Sequence, residues 1–471
     1  HFNKNTHILS RMHTRWHISR LARIGCSASL LVLAISTIRN HRNSHAYGSY
    51  EHEQASTFNI AEIAAISLPV QTMHVCAKSL HLVPKILQDR NFATIDAWTN
   101  ITGWGVILGG YQRCGNHALD DGMTCGLNAL LFRHAHELPQ HSVYHSCLGC
   151  RESICSKRKM CILAKWHGFE GIASPKCYVA PAEHDALLRD LNTSALWVMK
   201  RDERHNGNGV RIVNASYIQE LATLAPFDIV HKYVPLDRRP IRVYVSVTSS
   251  YPFRAHVYCH AHHLVLQPSE ATVFDMCQRS ESMAPLDEDG IVLDTDALAN
   301  INTAILKSVE LIVLASIPSI SSNVFNRALQ QRRSRCFTFW SLDLALTADG
   351  RALAYEVNEF PHLGSVVPAQ HFIIKQAHAE LFDMLGLRGE GREAGISRES
   401  VACLESFAAL HVDSIEANTA QMLVTLELEL ASARVWQLLV EDDPLLPESP
   451  AGSMPWAQRE YRVHRRVQCR M

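Results

Sequence analysis

The stretch from Phe337 to Pro361, FTFWSLDLALTADGRALAYEVNEFP, constrains this chain more than any other. Two apolar runs flank Asp349-Gly350, a dipeptide suited to two-residue hairpin turns because both positions tolerate positive φ. With Asp349-Gly350 at the tip, Ala348 faces Arg351, Leu346 faces Leu353 and Asp343 faces Glu356. Side chains alternate between faces along a strand, so Asn358 shares the face of Glu356. Two carboxylates directly opposed on neighbouring strands repel each other. A cation held by Asp343, Glu356 and Asn358 resolves that conflict. The donors are hard oxygens and few in number, which suits a Mg²⁺ ion that also carries nucleotide phosphates. The alternative is a solvated hairpin with its charges on a wet face, and a slip of one residue would separate the two acids.

Composition sets looser bounds. A chain of 471 residues can bury a large core and is expected to hold two or three domains. A hydrophobic share of 47% places it with soluble globular proteins. The formal net charge of −1 gives no global field for a nucleic-acid partner. Histidine is common but scattered, and no HExxH pair occurs.

Residues 1–50 differ from the rest. Arg11, Arg15, Arg20 and Arg23 precede an apolar run, Ile24 to Ile38. The run is short against the ~20 residues of a membrane span. It suits the core of a secretory signal, with Ser44-His45-Ala46 as a cleavage site, or a signal anchor, or a buried helix. A membrane enters only through this segment, and the compartment is secretory or cytoplasmic according to which reading holds. Cys147, Cys150, Cys155 and Cys161 form a CxxC followed by irregular gaps. Zinc, disulfides and free thiols all remain open for them. Sequons at Asn100, Asn192 and Asn214 matter only in an oxidising lumen.

Residues 55–173 read as an N-terminal lobe of mixed strand and helix, with helical spacing over Leu127 to Leu138. SPKCYVAPAEHDALLRDL predicts a strand through Val179 and a helix from Pro181. In LWVMKRDERHNGNGVRIV, Leu196 to Met199 predicts a buried strand ending at Lys200. The loop containing Gly207 and Gly209 follows, and Val210 to Val213 predicts a second strand. Backbone N–H groups of such a loop can cradle phosphate oxygens beside the lysine charge; an ordinary hairpin turn is the other reading. Ile229 to Val234 and Ile241 to Thr248 predict two more strands. Arg242, Tyr244, Ser246 and Thr248 share the polar face of the second, where an arginine suits a bidentate phosphate contact or plain exposure.

Lys200 with NGNG, then HKYV, IRVYVSVTS, CFTFWSLDLAL and YEVNEFP occur in one order. That series resembles the tubulin–tyrosine-ligase-like family over roughly Ser174 to Gly364. Its most specific parts are Cys336 to Leu346 and Leu353 to Pro361, similar to the family's Cys-Phe…Asp strand and Glu-Val-Asn ending. Leu293 to Ile317 resembles the helical insert between the family's central motifs.

The resemblance implies an α+β, ATP-grasp fold: antiparallel and mixed sheets with flanking helices enclosing a nucleotide cleft. It implies ATP and Mg²⁺ as cofactors. Lys200 would contact the nucleotide phosphates, and Gly207 and Gly209 would cover them. His231, Lys232, Tyr233 and Val234 would run along the adenine. Arg242 would hold a phosphate or acyl-phosphate, and Asp343, Glu356 and Asn358 would bind Mg²⁺. With Lys200, Arg242 and Glu356 as its catalytic residues, the chain would join a free amino acid to a carboxylate of a protein or peptide. Family members add tyrosine, glutamate or glycine to tubulin tails or other proteins, polyglutamylation among these modifications. An acidic acceptor tail would want a basic groove, for which Arg201, Arg204, Arg211, Arg238 and Arg239 are candidates.

The chain departs from the family pattern. His231 stands where the family has Gln, Pro240 where it has Asp, and the family's downstream Thr-Asn motif is not recognisable in VFDMCQRSES. A nucleotide- or partner-binding protein without turnover is therefore the rival reading. The expected domains are 1–50, 55–173, a catalytic core over 174–385, a Gly-rich linker at 386–397, and a helical extension over 398–471. Glu416 to Val440 predicts one long helix, and the tail after Pro444 is expected to be mobile.

Overall fold

Antiparallel ladders set the architecture, and the helices pack on their faces. The computed structural model describes residues 72–76, 85–87, 89–90, 93–95, 106–109, 143–145, 153–191, 195–202, 209–220, 229–234, 241–263, 273–275, 295–321, 335–358, 361, 368–387, 397–411, 417–433, 435–441 and 454–469. The 24–38 segment, Leu127 to Leu138, Cys147, Cys150, Asn100, Asn192, Arg204, Gly207, Arg238 and Arg239 lie outside the described residues.

Strands β1 (Thr72–Cys76), β2 (Ala93–Ile95), β3 (Val106–Gly109) and β4 (Val143–His145) pair in parallel. Helix α1 (Lys157–Trp166) leads into a four-stranded antiparallel sheet. Its strands are β5 (Cys177–Val179), β6 (Leu196–Lys200), β7 (Val210–Asn214) and β8 (Ile229–Lys232), in the order β5-β8-β6-β7. Helices α2 (His184–Asp190) and α3 (Ala215–Glu220) interrupt it in sequence. The sequon residue Asn214 caps α3, its side-chain oxygen accepting from Tyr217 N at 2.9 Å.

The larger sheet is centred on β9 (Ile241–Ser250). Strands β10 (Phe253–Tyr258) and β11 (His260–His263) pair with it on one side, and β12 (Val273–Asp275) extends β11. Helix α4 (Thr295–Ser321) crosses over before β13 (Arg335–Leu346) pairs along the other side of β9. Strand β14 (Ala352–Asn358) turns back antiparallel on β13. The first residues of β13 pair in parallel with β4, which carries β1–β4 into one eleven-stranded mixed sheet.

Both faces of β9 and β13 are covered. Alternate residues Val243, Val245, Val247, Trp340, Leu342 and Leu344 pack in one core cluster with Ile305, Val309, Ile312 and Ile317 of α4. Helix α4 is long and apolar enough to cross a membrane by length and composition, and half of that stretch is buried inside the protein. The opposite face meets α5 (Pro368–Met384): Tyr244, Phe337 and Phe339 cluster with Ile374, Ala377, Leu381 and Phe382. Alternation on β9 is therefore not a division into dry and wet faces. Of the expected polar face, Tyr244, Ser246 and Thr248 are fully buried and Arg242 is half-buried.

Two expectations for the C-terminal region fail. The long helix stops early: α6 (Arg398–Leu410) and α7 (Ala417–Ser432) are followed by a strand, β15 (Trp436–Glu441). Trp436 is fully buried and β15 pairs antiparallel with β10, so sheet completion overrides the helical spacing of Leu438 to Val440. The region after Pro444 includes a helix, α8 (Met454–Val467), with Ala457, Tyr461 and His464 buried. Leu423 and Leu426 meet α6 and Tyr461 of α8, so their spacing serves packing within the chain.

A buried polar network fastens these helices to the sheet. Arg254 of β10 is 1% exposed; it donates to both carboxylate oxygens of Glu429 at 2.9 Å and to Gln458 Oε1 at 2.8 Å. Thr248 donates its hydroxyl hydrogen to Glu429 at 3.0 Å, which leaves its oxygen to accept from His256 Nδ1 at 3.4 Å. Burial holds the His256 imidazole down to about 4, although the Glu429 carboxylate acts to raise it. An unfolded histidine titrates near ~6.5, so the folded chain resists a proton that the unfolded chain accepts. This contribution is whole above pH ~6.5 and is lost as pH falls towards the folded value, to a total of roughly 3 kcal/mol. Urea unfolding of the wild type and of His256→Gln between pH 7 and pH 4 checks it: the variant loses less stability over that interval.

Candidate functional site

The hairpin that joins β13 to β14 is built differently from a two-residue turn. Gly350 N donates to Thr347 O at 2.9 Å and Thr347 N to Arg351 O at 2.9 Å, with Gly350 at φ 79°. This is a three-residue loop, a four-residue turn ending in a left-handed residue, where glycine is favoured. The first pairs are accordingly Leu346↔Ala352 and Ala345↔Leu353, one residue away from the expected register. The expected pairs Ala348–Arg351 and Leu346–Leu353 do not form.

A β-bulge restores the count. Leu344 pairs with Ala354 and Asp343 with Glu356, which leaves Tyr355 as an extra residue without a ladder partner. Bulges re-aim side chains and recur beside active sites. Here Ala354 and Val357 are buried while Tyr355 and Glu356 between them are both partly exposed. Asp343 and Glu356 end up opposed as expected, and Asn358 lies opposite Ser341, two pairs further on.

Asp343 is also directly opposite Arg242 on β9, so Arg242, Asp343 and Glu356 stand in a row across three adjacent strands. Arg242 Nε and Nη2 donate to the two oxygens of Asp343 at 2.7 and 2.8 Å. Lys157, the first residue of α1, closes the other end of the row at 3.1 Å from Glu356. Burial works against the charge on Arg242, but the Asp343 carboxylate more than compensates, and the guanidinium sits above its ordinary range. Burial and Asp343 both push the Tyr355 phenol up, so it stays protonated.

Lys200 joins the two sheets. It ends β6, is 7% exposed, and donates to the carbonyl of the bulge residue Tyr355 at 3.2 Å, with Nζ 5.2 Å from the centre of the Tyr355 ring. Burial lowers the ammonium to about 8, against the pull of Glu356, while Lys157 adds to the lowering. The cleft beside it is lined by Lys157, Ser174, His231, Ala354 and Tyr355. His231 is held down to about 3 by burial and by Lys200, so its imidazole is neutral. Its Nδ1 lies 3.0 Å from Lys232 O and must donate there, which makes Nε2 an acceptor. Nε2 and Ser174 Oγ are both buried and make no hydrogen bond among the described residues. Two unsatisfied polar atoms in one cleft wall point to a ligand or ordered water that completes them.

Lys232 is exposed at the end of β8, and Tyr233 and Val234 follow it, with Tyr233 N donating to Leu196 O at 2.9 Å. Gly209 opens β7 at φ 82° and its carbonyl accepts from Arg201 N at 3.3 Å. The chain thus closes back on Lys200 at the mouth of the glycine loop.

Lys157, Tyr355 and Asp202 are site residues that the sequence reading missed. Asp202 accepts from Ser156 Oγ at 2.8 Å and from Arg158 N at 3.2 Å, so the segment after Lys200 caps the helix that presents Lys157. Ser156 in turn accepts from Lys159 N at 3.2 Å. A serine just before KRKMCILAKW is a helix-start signal, and it stands within the cysteine pattern of Cys147 to Cys161. Within that pattern, Cys161 is bonded to Cys177, which keeps it out of a zinc site while that bond is intact.

No protein-family model and no curated protein matches the chain. Among solved structures, the C-terminal domain of Pby1 from K. lactis is similar at 13% identity with a TM-score of 0.40. That protein is described as an ATP-grasp enzyme that interacts with the mRNA decapping enzyme Dcp2, and the match covers 66% of this chain and 92% of that one. The chain is a mixed α+β protein with antiparallel sheets and flanking helices.

The Arg242–Asp343 pair is the structural keystone of the row. Its side chains are 17% and 5% exposed, so removal of one partner strands a buried charge at a cost of about 3–5 kcal/mol. Arg242→Met is expected to lose about that much in urea unfolding. The double variant Arg242→Met/Asp343→Leu is expected to recover most of it, since no charge is then left alone.

Proposed function

We propose that the chain is an ATP-grasp, Mg²⁺-dependent carboxylate–amine ligase related to the tubulin–tyrosine-ligase-like family. The observation that carries this reading is the charged row beside Lys200: two buried or half-buried acids on adjacent strands, with Lys157, Lys200 and Arg242 around them. The donor chemistry fits the ion. Each oxygen of Asp343 accepts one hydrogen bond from Arg242 and keeps a second lone pair. With Glu356 and Asn358 this makes a small all-oxygen set of the kind that holds Mg²⁺ with water and phosphate completing the shell. Bound there, the ion would neutralise charge on the transferred phosphoryl group.

The chain's own residues supply the rest. Lys200 and Arg242 bring positive charge to where the triphosphate would lie, and a phosphate dianion beside Lys200 would restore its proton affinity. His231 Nε2, an acceptor without a donor among the described residues, fits an exocyclic amine such as that of adenine. An acceptor carboxylate attacks the γ-phosphorus of ATP to give an acyl-phosphate and ADP. The amino group of a free amino acid then attacks the acyl carbon, expels phosphate and loses a proton, leaving an amide. The acceptor would be an acidic protein or peptide tail, tubulin's among them, with Arg201 and Arg211 near the entrance of the glycine loop.

A second reading has one observation in its favour. Both acids already carry a cation, Asp343 with Arg242 and Glu356 with Lys157. A chain so neutralised could bind nucleotide and not turn it over.

Nucleotide affinity with and without Mg²⁺ tests the site. Glu356→Gln is expected to weaken metal-dependent ATP binding by more than about tenfold, the loss of one charge-assisted contact. ATP binding that is indifferent to Mg²⁺ and to Glu356 would remove the proposed ion site. ADP release that needs both an amino acid (tyrosine, glutamate or glycine) and an acidic peptide supports the ligase; tight ATP binding without such release supports the second reading.

A further inference from the structure

The C-terminal helices bring two sulfurs and an imidazole together. Cys403 lies on α6, His464 in the last turn of α8, and Cys469 just past that helix. Their ligand atoms all lie within 4.8 Å of one another, and Cys403 and Cys469 are joined as a disulfide. Cys403 and His464 are buried, and Cys469 is half-buried. His464 Nε2 is buried and makes no hydrogen bond among the described residues. An imidazole buried among apolar groups with one nitrogen unsatisfied carries an energetic cost that a metal–nitrogen bond would remove.

Backbone hydrogen bonds hold the trio in place independently of the disulfide. Gln468 N donates to His464 O at 2.7 Å and Cys469 N to the same oxygen at 3.3 Å, curling the chain so that Cys469 returns beside His464. Phe407, one turn beyond Cys403 on α6, packs its ring 5.5 Å from the ring of His464 and 5.3 Å from that of Tyr461. The two helices that carry the ligands are thus locked face to face by apolar contacts. The Cα–Cα distance of 5.8 Å between the two cysteines leaves room for side-chain rotation to part the sulfurs to the ~3.5–4 Å that two thiolates need around a tetrahedral ion.

We propose that Cys403, His464 and Cys469 form a zinc site when the disulfide is reduced. Reduction needs a dithiol reductant: two electrons and two protons pass to the disulfide, giving two thiols, and the reductant becomes a disulfide. Zn²⁺ then takes both thiols as thiolates, releasing their two protons, and the neutral imidazole gives its lone pair. Two thiolates and an imidazole favour Zn²⁺ over hard cations such as Mg²⁺ or Ca²⁺. The fourth position is left for water or for His411, whose ring lies tilted against that of Phe407 with centres 4.6 Å apart. The C-terminal helices would then be held by a disulfide under oxidising conditions and by zinc under reducing ones, which frees this part of the fold from its redox compartment.

Site-resolved alkylation of the full-length chain tests the proposal, because the chain's 14 cysteines make bulk zinc content ambiguous. The protein is reduced with a phosphine, freed of reductant, and alkylated with and without one equivalent of Zn²⁺. The labelling rate of each cysteine is then read by mass spectrometry. Zinc is expected to slow labelling of Cys403 and Cys469 together by about tenfold or more, as bound thiolates are poor nucleophiles. His464→Gln is expected to bring both back towards their zinc-free rates. Unchanged labelling of Cys403 and Cys469 in the wild type overturns the proposal. Equal protection in wild type and His464→Gln also overturns it, since the imidazole is then no ligand. A reduced chain whose circular dichroism collapses and is not restored by zinc counts against it as well.

Discussion

The arrangement depends on one electrostatic constraint: Asp343 is buried at the centre of a sheet and needs compensation where it stands. Little water reaches it, so its charge persists through groups fixed by the same sheet. Arg242 on one neighbouring strand meets it in a two-pronged contact, and Glu356 on the other neighbour adds a second negative charge. Lys157 and Lys200 then answer Glu356 from outside the ladder. Lateral pairing of β9, β13 and β14 therefore fixes both the order of charges and their spacing, at distances where a slip of one residue would bury unlike chemistry.

The bulge at Tyr355 makes the two sheets a single device. In a regular strand Tyr355 and Glu356 would point to opposite faces. The extra residue lets both look out of the core and leaves a carbonyl outside the ladder, and that carbonyl is the one Lys200 reaches. Lys200 is held in turn because Asp202, two residues on, caps the helix that carries Lys157. Two short local motifs, a bulge and a helix cap, thus bring Lys157 and Lys200 to acids that the ladder of β9, β13 and β14 already sets beside Arg242. The cations sit close to one another, and burial has already lowered the proton affinity of Lys200. A polyanion entering the cleft would relieve that crowding.

Much of this was legible in the sequence, for reasons that can be stated. The strands ending at Lys200 and starting at Ile241 announced themselves because both are apolar runs bounded by charge and turn residues. The opposition of Asp343 and Glu356 was also legible, but through two departures that cancel: the turn takes one residue more than Asp349-Gly350 alone, and Tyr355 adds one to the other strand. Neither leaves a mark in hydrophobic alternation, since Ala and Leu occupy both positions near the turn. Burial of Tyr244, Ser246 and Thr248 was not legible, because their strand alternates apolar with polar as a surface strand does; α5 and α7 come from more than a hundred residues downstream to cover that face. The end of α7 was missed because Leu438 to Val440 suit a helix as well as a strand, and only the open edge of β10 decides between them.

That edge shows why the C-terminal region belongs to the same structure as the site. β9 carries Arg242 near one end and Thr248 near the other. Thr248 shares Glu429 with Arg254, which also binds Gln458 of α8. A buried arginine is stable only while its whole set of acceptors is present, since each missing partner leaves a desolvated donor at full cost. Helices α7 and α8 are therefore not an optional cover. Their acids and amides complete the charge balance of β10, as Asp343 completes that of Arg242. Arg242 and Arg254 sit on the two strands of one hairpin, so the strand that sets Arg242 against Asp343 is held in register by a network assembled from the last quarter of the chain.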